Sequence, residues 1–393
     1  MLATADNIMP EKSVSNPASL PQIAVTRLRM SNYRNYEIGQ LETNSKSVLL
    51  TGPNGAGKTN LLEAISFLAP GRGLRRAKTS EIDRVGSLQP WAISAEVNSA
   101  FGPISIGTGR DHTSERRLLR INGAPVKAQS ELGEYVSVVW LTPQMDRLFA
   151  DGPGARRRFL DRLIYGFDPA HAGRCNAYEK ALRDRAKLLK EGVQDDIWLN
   201  ALETQLTERG IAIAAARREI AARLDLACKE ATGPFPGADI CVEGVIEGWL
   251  GQMSALEVEE NLRHALKDGR RQDRETGGAS IGPHKSDMVV HHLEKNILAS
   301  FCSTGEQKAL LVAIIIAHTK LQTAERGQAP MMLLDEVAAH LDEAKRAALF
   351  ETIIKLGVQA WVTGTDTTSF EALRGQVSAF QVEESHLKST NFN

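Results

Sequence analysis

Cysteine is scarce in this chain and never paired: Cys175, Cys228, Cys241 and Cys302 are the only four in 393 residues, and none stands in a C-x-x-C pair. Neither a zinc knuckle nor a disulfide framework is indicated, which suits a reducing, cytoplasmic setting. Long apolar runs are missing too. None approaches the roughly 20 residues needed to cross a bilayer, so a soluble protein with no membrane partner is expected. An excess of one charge is also lacking. The formal net charge is −1, so any nucleic-acid site must be a local patch rather than the field of the whole chain. Residues 1–22 are rich in Ser, Pro, Asn and Ala and lack the apolar core of a secretory signal. They are expected to be a disordered N-terminal extension. What remains is ordinary globular material, 42% hydrophobic and 24% charged, long enough for two or three lobes with their own cores.

From Ile23 to Thr51 the pattern is short β-like runs, the last of which, Val48-Leu49-Leu50, leads straight into a glycine-rich loop. A helix should follow from about Asn60, burying Leu61, Leu62, Ile65 and Leu68 and leaving Glu63 to face water. Between Trp91 and Thr142 the runs WAISAEV, GPISIGTG, RRLLRING and VSVVWLT look like an antiparallel sheet. The period turns helical from Gly154 to Lys229, where Leu199, Leu202, Leu206, Ile213, Ile220 and Leu224 recur on a three-and-four spacing. Gly192 separates this helix from an earlier one, predicting an antiparallel helix pair. The charged stretch from Lys267 to Thr276 looks flexible. A hairpin with a polar tip at Glu294-Lys295-Asn296 follows, then helix Lys308 to Thr319, strand Met331 to Leu334, helix Glu343 to Ile354 and strand Ala360 to Thr363. There is no internal repeat.

The loop Gly52, Pro53, Asn54, Gly55, Ala56, Gly57, Lys58, Thr59, with Asn60 next, fits G-x-x-x-x-G-K-[ST] between a strand and a helix. Gly55 and Gly57 allow backbone N–H groups to turn onto phosphates at a helix N-terminus. Lys58 is placed to neutralise the β/γ-phosphates and Thr59 to ligate Mg2+. Far downstream, the apolar strand Met331 to Leu334 ends in Asp335 and Glu336. A strand end is where an open α/β sheet puts its ligand crevice; Asp335 suits the metal and Glu336 a general base for water. Taken alone, Glu336 could be a helix-start acid favoured by the dipole. Ser303 and Gly305, in STGEQK, open a second apolar helix, either as another anion-binding end or as a plain capping box with Glu306.

These motifs, with NYRNY (Asn32 to Tyr36), GPNGAGKTNLLEAI, GRGLR (Gly71 to Arg75), the TPQ…ARRRFLD segment (Thr142 to Asp161), IGPHKSD (Ile281 to Asp287), STGEQKAL and VTGTD (Val362 to Asp366), resemble in order those of the ATP-binding-cassette ATPases of the SMC and RecF group, and most of all the RecF family of bacterial recombinational repair. The resemblance covers nearly the whole chain after residue 22. It implies an α/β fold: an ABC-type P-loop ATPase head, mixed sheet plus antiparallel β subdomain, over residues 23–150 and 280–393. Residues 151–279 would form an inserted helical arm lobe with a short β segment. It further implies ATP and Mg2+, slow hydrolysis, an ATP-dependent homodimer with each nucleotide between one chain's loop and its partner's Ser303 helix, and action at DNA gaps and single-strand/duplex junctions with RecO and RecR in loading RecA. By position, Gln144 matches the residue that senses magnesium and the attacking water, Asp342 the acid that crosses the dimer, and Arg34 and Asn35 the segment near adenine. The switch position, often His in this superfamily, is held here by Thr363 or Thr365. The segment G-P-H-R-D-D of the family appears as Gly282-Pro283-His284-Lys285-Ser286-Asp287, and a packed turn suits His284 better than metal ligation.

DNA contacts are expected at Arg72, Arg75 and Arg76 and at Arg156, Arg157 and Arg158, with Arg270 and Arg271 as weaker candidates. A transporter's nucleotide-binding subunit would share the loop and the acids, but about 240 residues between Thr59 and Ser303 and a fused arm leave it no obvious membrane-coupling surface. An SMC-type tether would need a long heptad insert, which is missing.

Overall fold

In this computed structural model, residues 22–392 are described apart from 193–195, 230 and 232. The expected disordered extension lies outside the described residues except for Gln22. The chain begins with β1 (Ala24–Tyr33) and β2 (Tyr36–Glu42), an antiparallel pair, before β3 (Ser47–Thr51) enters a different sheet and delivers the glycine-rich loop to α1 (Lys58–Ser66). β4 (Ala92–Ser99), β5 (Gly102–Arg110), β6 (Arg117–Ile121) and β7 (Ala124–Pro125) then extend the first sheet in the order β2-β1-β4-β5-β6-β7. β4 buries every second residue, as a strand with one solvated face should.

After the single turn α2 (Leu132–Tyr135) comes β8 (Val138–Leu141). Although VSVVWLT was expected in the antiparallel sheet, β8 pairs in parallel with a strand nearly 200 residues later. Its four residues are all buried, with no alternation, as befits a strand covered on both faces.

Helices dominate the next stretch: α3 (Pro153–Tyr165), α4 (His171–Glu191) and α5 (Asp196–Cys228), then β9 (Ala238–Glu243), α6 (Val245–Trp249), α7 (Ala255–Asp268) and α8 (Arg270–Thr276). Gly192 ends α4 at φ 72°, a left-handed cap that suits glycine, and α4 packs along α5. All six predicted apolar residues of α5 are buried. The stretch from Lys267 to Thr276, expected to be flexible, is helical instead. Two of its charges, Asp273 and Arg270, are used internally while Arg271 is exposed: Arg185 donates to Asp273 (2.7 Å) and Glu203 (2.9 Å), and Arg270 to Glu203 (2.6 Å) and Asp196 (2.7 Å). Arg270 is thereby removed as a free DNA contact.

β10 (Asp287–His292) and β11 (Ile297–Leu298) form the predicted hairpin, and β9 joins them in a three-stranded antiparallel sheet. α9 (Thr304–Arg326) follows, then β12 (Met331–Leu334), α10 (Glu343–Leu356), β13 (Ala360–Gly364), β14 (Val377–Glu383) and β15 (His386–Thr390). The mixed sheet runs β15-β14-β3-β13-β12-β8, parallel except for the β14–β15 hairpin. α9 is apolar nearly all round from Ala309 to Ala317 and buried throughout that run, so it packs inside the molecule rather than on its surface. Because β3, β12 and β13 are neighbours or next neighbours, their C-terminal ends bring Gly52, Asp335 and Thr363 to one edge.

Candidate nucleotide site

Two glycines fix the loop. Gly52 has φ 146°, and a Cβ there would stand 2.1 Å from the Val382 carbonyl of β14; Gly57, at φ 114°, would place one 2.6 Å from both Asn35 Nδ2 and the Tyr36 hydroxyl. Only a residue without a side chain fits either position. Pro53, Asn54 and Gly55 are exposed, whereas Lys58 is buried. Its Nζ donates to the carbonyls of Gly52 (2.6 Å) and Pro53 (2.9 Å). Burial lowers its pKa, opposed by the carboxylates of Glu336 and Asp335.

Across the edge, Thr59 Oγ1 lies 3.0 Å from each oxygen of Asp335, and Thr363 Oγ1 donates to the same carboxylate at 2.8 Å. Asp335 is 4% exposed; burial raises its pKa, against the two hydroxyl bonds. A buried carboxylate whose partners are hydroxyls rather than a cationic side chain is an oxygen donor set of the kind hard divalent cations take. The arrangement fits Mg2+ held through Thr59 and Asp335.

Glu336 sits at φ 51°, ψ 22°, a left-handed conformation uncommon for a residue with a Cβ. Its N–H donates to Thr363 Oγ1 at 2.9 Å, so one hydroxyl on β13 fixes both acids. Of the two switch candidates, Thr363 is therefore at the acids, whereas Thr365 is exposed and turned to Asp366. Gln144 is exposed on a 3-10 turn (Pro143–Arg147), which is tied to α9 by Lys308 Nζ on Asp146 at 3.2 Å.

Ser303 and Asp342 lie apart from the loop. Both are exposed N-caps: Ser303 accepts from Glu306 N–H while Glu306 returns to Ser303 N–H, and Asp342 accepts from Lys345 N–H at 2.8 Å. Gly305 is exposed beside Ser303. Among the described residues no hydrogen bond joins either cap to the glycine-rich loop of its own chain.

Several expectations are corrected by the packing. Glu63 is fully buried rather than facing water. It accepts from Arg34 Nε (2.8 Å) and Nη2 (2.7 Å), from Arg75 Nη1 (3.1 Å) and from the Tyr33 hydroxyl (3.3 Å). Arg34 and Arg75 are thus anchored to α1, and Asn35 Nδ2 donates to the Ala56 carbonyl. Asn60 accepts from Arg75 (2.6 Å) and donates to Asn35 (2.6 Å). These residues border an open recess of about 540 Å3 beside the loop. The role of Glu63 was hidden because a Glu on a helix adjoining apolar residues carries no sign of its distant partners.

Of the six arginines expected to contact DNA, Arg156 is committed to Asp287 through two bonds of 2.8 Å and to main-chain carbonyls, and Arg157 donates to Ser286 O. Both act in joining α3 to β10. Arg72, Arg76 and Arg158 are exposed. His284 is a packed turn residue, as expected, bonded to Tyr178 (2.8 Å) and to the Ala279 carbonyl (2.9 Å). The buried trio Asp161, His171 and Cys175 has metal-like proximity, yet Arg217 already takes both Asp161 oxygens at 2.8 Å. That cation makes it an ion-pair network rather than a metal centre.

Loop and acids thus meet at one edge of the mixed sheet, and the chain from 24 to 388 matches the RecF/RecN/SMC N-terminal domain family. A DNA replication and repair protein RecF of Brucella suis is 47% identical over 371 residues, spanning 93% of this chain and 96% of that one. The chain belongs to the RecF family. Another RecF, from Agrobacterium fabrum, is 45% identical over 366 residues, covering 92% of this chain and 97% of its own. In fold, a recombination mediator protein RecF, solved as RecF-ATPrS in the RecFOR pathway, superposes with a TM-score of 0.82 at 23% identity, covering 94% and 99% of the two chains. An Smc head domain from Pyrococcus furiosus is more distant, with a TM-score of 0.53 at 15% identity over 94% of this chain and 96% of that one. The RecF fold, an ABC-type head, is therefore shared along nearly the whole chain. Among the described residues no helix is long and apolar enough to cross a membrane.

Proposed function

We propose that this chain is an ATP-gated DNA-binding protein of cytoplasmic recombinational repair and replication, which hydrolyses ATP slowly. The carrying observation is the meeting of Thr59 with Asp335 at 3.0 Å, which joins the phosphate loop to the strand-end acids. When bound, Mg2+ would neutralise phosphate charge; Thr59 and Asp335 would hold it, with Gln144, on its exposed turn, as the further candidate ligand. Lys58 exchanges two carbonyl partners for the β/γ-phosphates. Glu336 accepts the proton of the attacking water, and Thr363 holds that acid in place where other ABC ATPases use a histidine. A hydroxyl cannot supply the charge of an imidazolium, which agrees with slow turnover.

The site is half of a composite. Ser303, Thr304 and Gly305 are exposed at a helix N-terminus, and Phe301 beside them is 76% exposed. Such an end offers N–H donors to an anion, and the γ-phosphate carried by a second chain is that anion. ATP therefore closes a homodimer, with Asp342 near its seam, around duplex or gapped DNA at single-strand/duplex junctions. RecO and RecR are the partners, and RecA loading is the outcome. α5, at 33 residues, extends only about 50 Å at 1.5 Å per residue, a stub rather than a tether.

The test is the ATPase rate on gapped, duplex and single-stranded DNA, with sedimentation in parallel. DNA stimulation together with an ATP-dependent dimer is expected; neither appearing would overturn the assignment. Glu336→Gln should lower turnover by roughly two to four orders of magnitude while nucleotide binding persists. Unchanged turnover removes Glu336 as the base.

A further inference from the structure

A cavity of about 510 Å3 separates the loop Pro70 to Arg76 from β8, α3 and the turn bearing Gln144. Five arginines line it, Arg72, Arg75, Arg76, Arg158 and Arg162, against one acid, Asp151. Arg75 is already neutralised by Glu63, and the Asp151 carboxylate lies 3.7 Å from Arg147 Nε. Among the described residues, none of the other four arginines has a carboxylate within ion-pair distance. Arg162 is the most telling. Its guanidinium lies 4.3 Å from the Trp140 ring centroid and 5.3 Å from that of Phe159, its Nη2 donates to Met145 Sδ at 3.5 Å, and its Nε is buried without a hydrogen-bond partner among the described residues. Burial and the nearby charge of Arg76 push its pKa down to about 9. Desolvating a cation beside like charges is costly unless an anion completes the group. Stacking on aromatic faces holds the guanidinium plane fixed, which suits bidentate recognition of a phosphate.

We propose that this cavity is a second oxyanion site, separate from the glycine-rich loop, which takes one phosphate group of a DNA strand, with Arg162 within it and Arg76 and Arg158 at its rim. The inference rests on the DNA-binding reading and deepens it. Gln144 borders the same cavity, so a phosphate seated there lies against the turn that carries the residue assigned above to the nucleotide site.

Inorganic phosphate is the first probe, titrated by calorimetry into the full chain carrying Lys58→Met, which disables the glycine-rich loop as a phosphate site. Binding should persist there and weaken about tenfold or more when Arg162→Gln is added, the size of one lost charge-assisted hydrogen bond. Arg158→Gln, at the exposed rim, gives the same test without disturbing the aromatic stack. In the second arm, duplex DNA affinity measured by anisotropy with ATP present should fall about tenfold in Arg162→Gln and in Arg158→Gln, each in the otherwise unaltered chain. Loss of all phosphate binding in Lys58→Met, or phosphate binding indifferent to both arginines, overturns the site. Phosphate binding that follows Arg162 with unaltered duplex affinity overturns DNA as its source and assigns free phosphate. Absence of duplex binding by the unaltered chain instead sinks the DNA reading of the protein, whatever the phosphate arm shows.

Discussion

Thr363 has more consequence than its size suggests. Its hydroxyl donates to Asp335 at 2.8 Å and accepts the N–H of Glu336 at 2.9 Å, so one side chain orients the proposed metal ligand and pins a residue in an unfavourable backbone conformation. Thr363→Val keeps the shape and removes both bonds. Stability in urea should drop by about 1–3 kcal/mol, the cost of a buried polar group left unpaired, and magnesium-dependent turnover should fall with it. Thr363→Ser should restore both. A valine variant with unaltered turnover would detach Thr363 from the chemistry. At this scale the sequence was informative wherever a residue's chemistry is local. Gly52 to Thr59 announce themselves by spacing, and Asp335 by ending an apolar strand. The choice between Thr363 and Thr365 was not local: it depends on which side chain β13 aims at β12, and both are threonines two positions apart.

Among elements, α1 and α9 organise the head. Glu63 on α1 draws together Arg34 from the β1–β2 turn and Arg75 from the basic loop, so the helix that follows the phosphate loop also positions its flanks. Glu63→Ala would strand two cations and should cost about 3–5 kcal/mol, read as a fall in the urea midpoint. Replacing Glu63, Arg34 and Arg75 together by Met should recover much of that loss, as expected when a buried ionic group gives way to apolar packing; no recovery would mean the carboxylate acts elsewhere.

α9 carries a pH dependence. His318 is fully buried, bonded through Nε2 to the Leu163 carbonyl at 2.8 Å, and burial lowers its pKa from 6.5 to about 4. Between those values the unfolded chain takes up a proton that the folded chain refuses, so stability is intact at neutral pH and declines on acidification. From this group alone the loss is about 2 kcal/mol at pH 5 relative to pH 7. Chemical denaturation at the two pH values should show it, and His318→Gln should flatten the difference; an equal slope in the variant would contradict it.

Periodicity made α5, α9 and α10 legible, because burial on one face or all round leaves a repeating mark. β8 was misassigned to the antiparallel sheet because strand pairing is a long-range choice: four apolar residues do not say which sheet covers them. The expectation of a flexible stretch at α8 fails because Asp273 and Arg270 look solvated until Arg185, Glu203 and Asp196 are brought to meet them.

For the molecule as a whole, the arrangement of sheets explains why motifs more than 270 residues apart serve one site. β3, β13 and β12 lie side by side, so the loop after the first, Thr363 on the second and the acids after the third converge. Ser303 opens the helix between β11 and β12, yet its exposed cap makes no bond to this loop. On the proposed reading, the phosphate loop at one place and the exposed helix end at another are completed by a second copy, and the same closure would bring two sets of rim arginines to a shared DNA. The central claim is therefore that the nucleotide is bound by two chains. Sedimentation velocity of Ser303→Arg, at an ATP concentration that saturates the monomer, tests it most directly. The account predicts a monomer that still binds ATP under conditions where the unaltered chain sediments as a dimer; an ATP-dependent dimer of Ser303→Arg would contradict it.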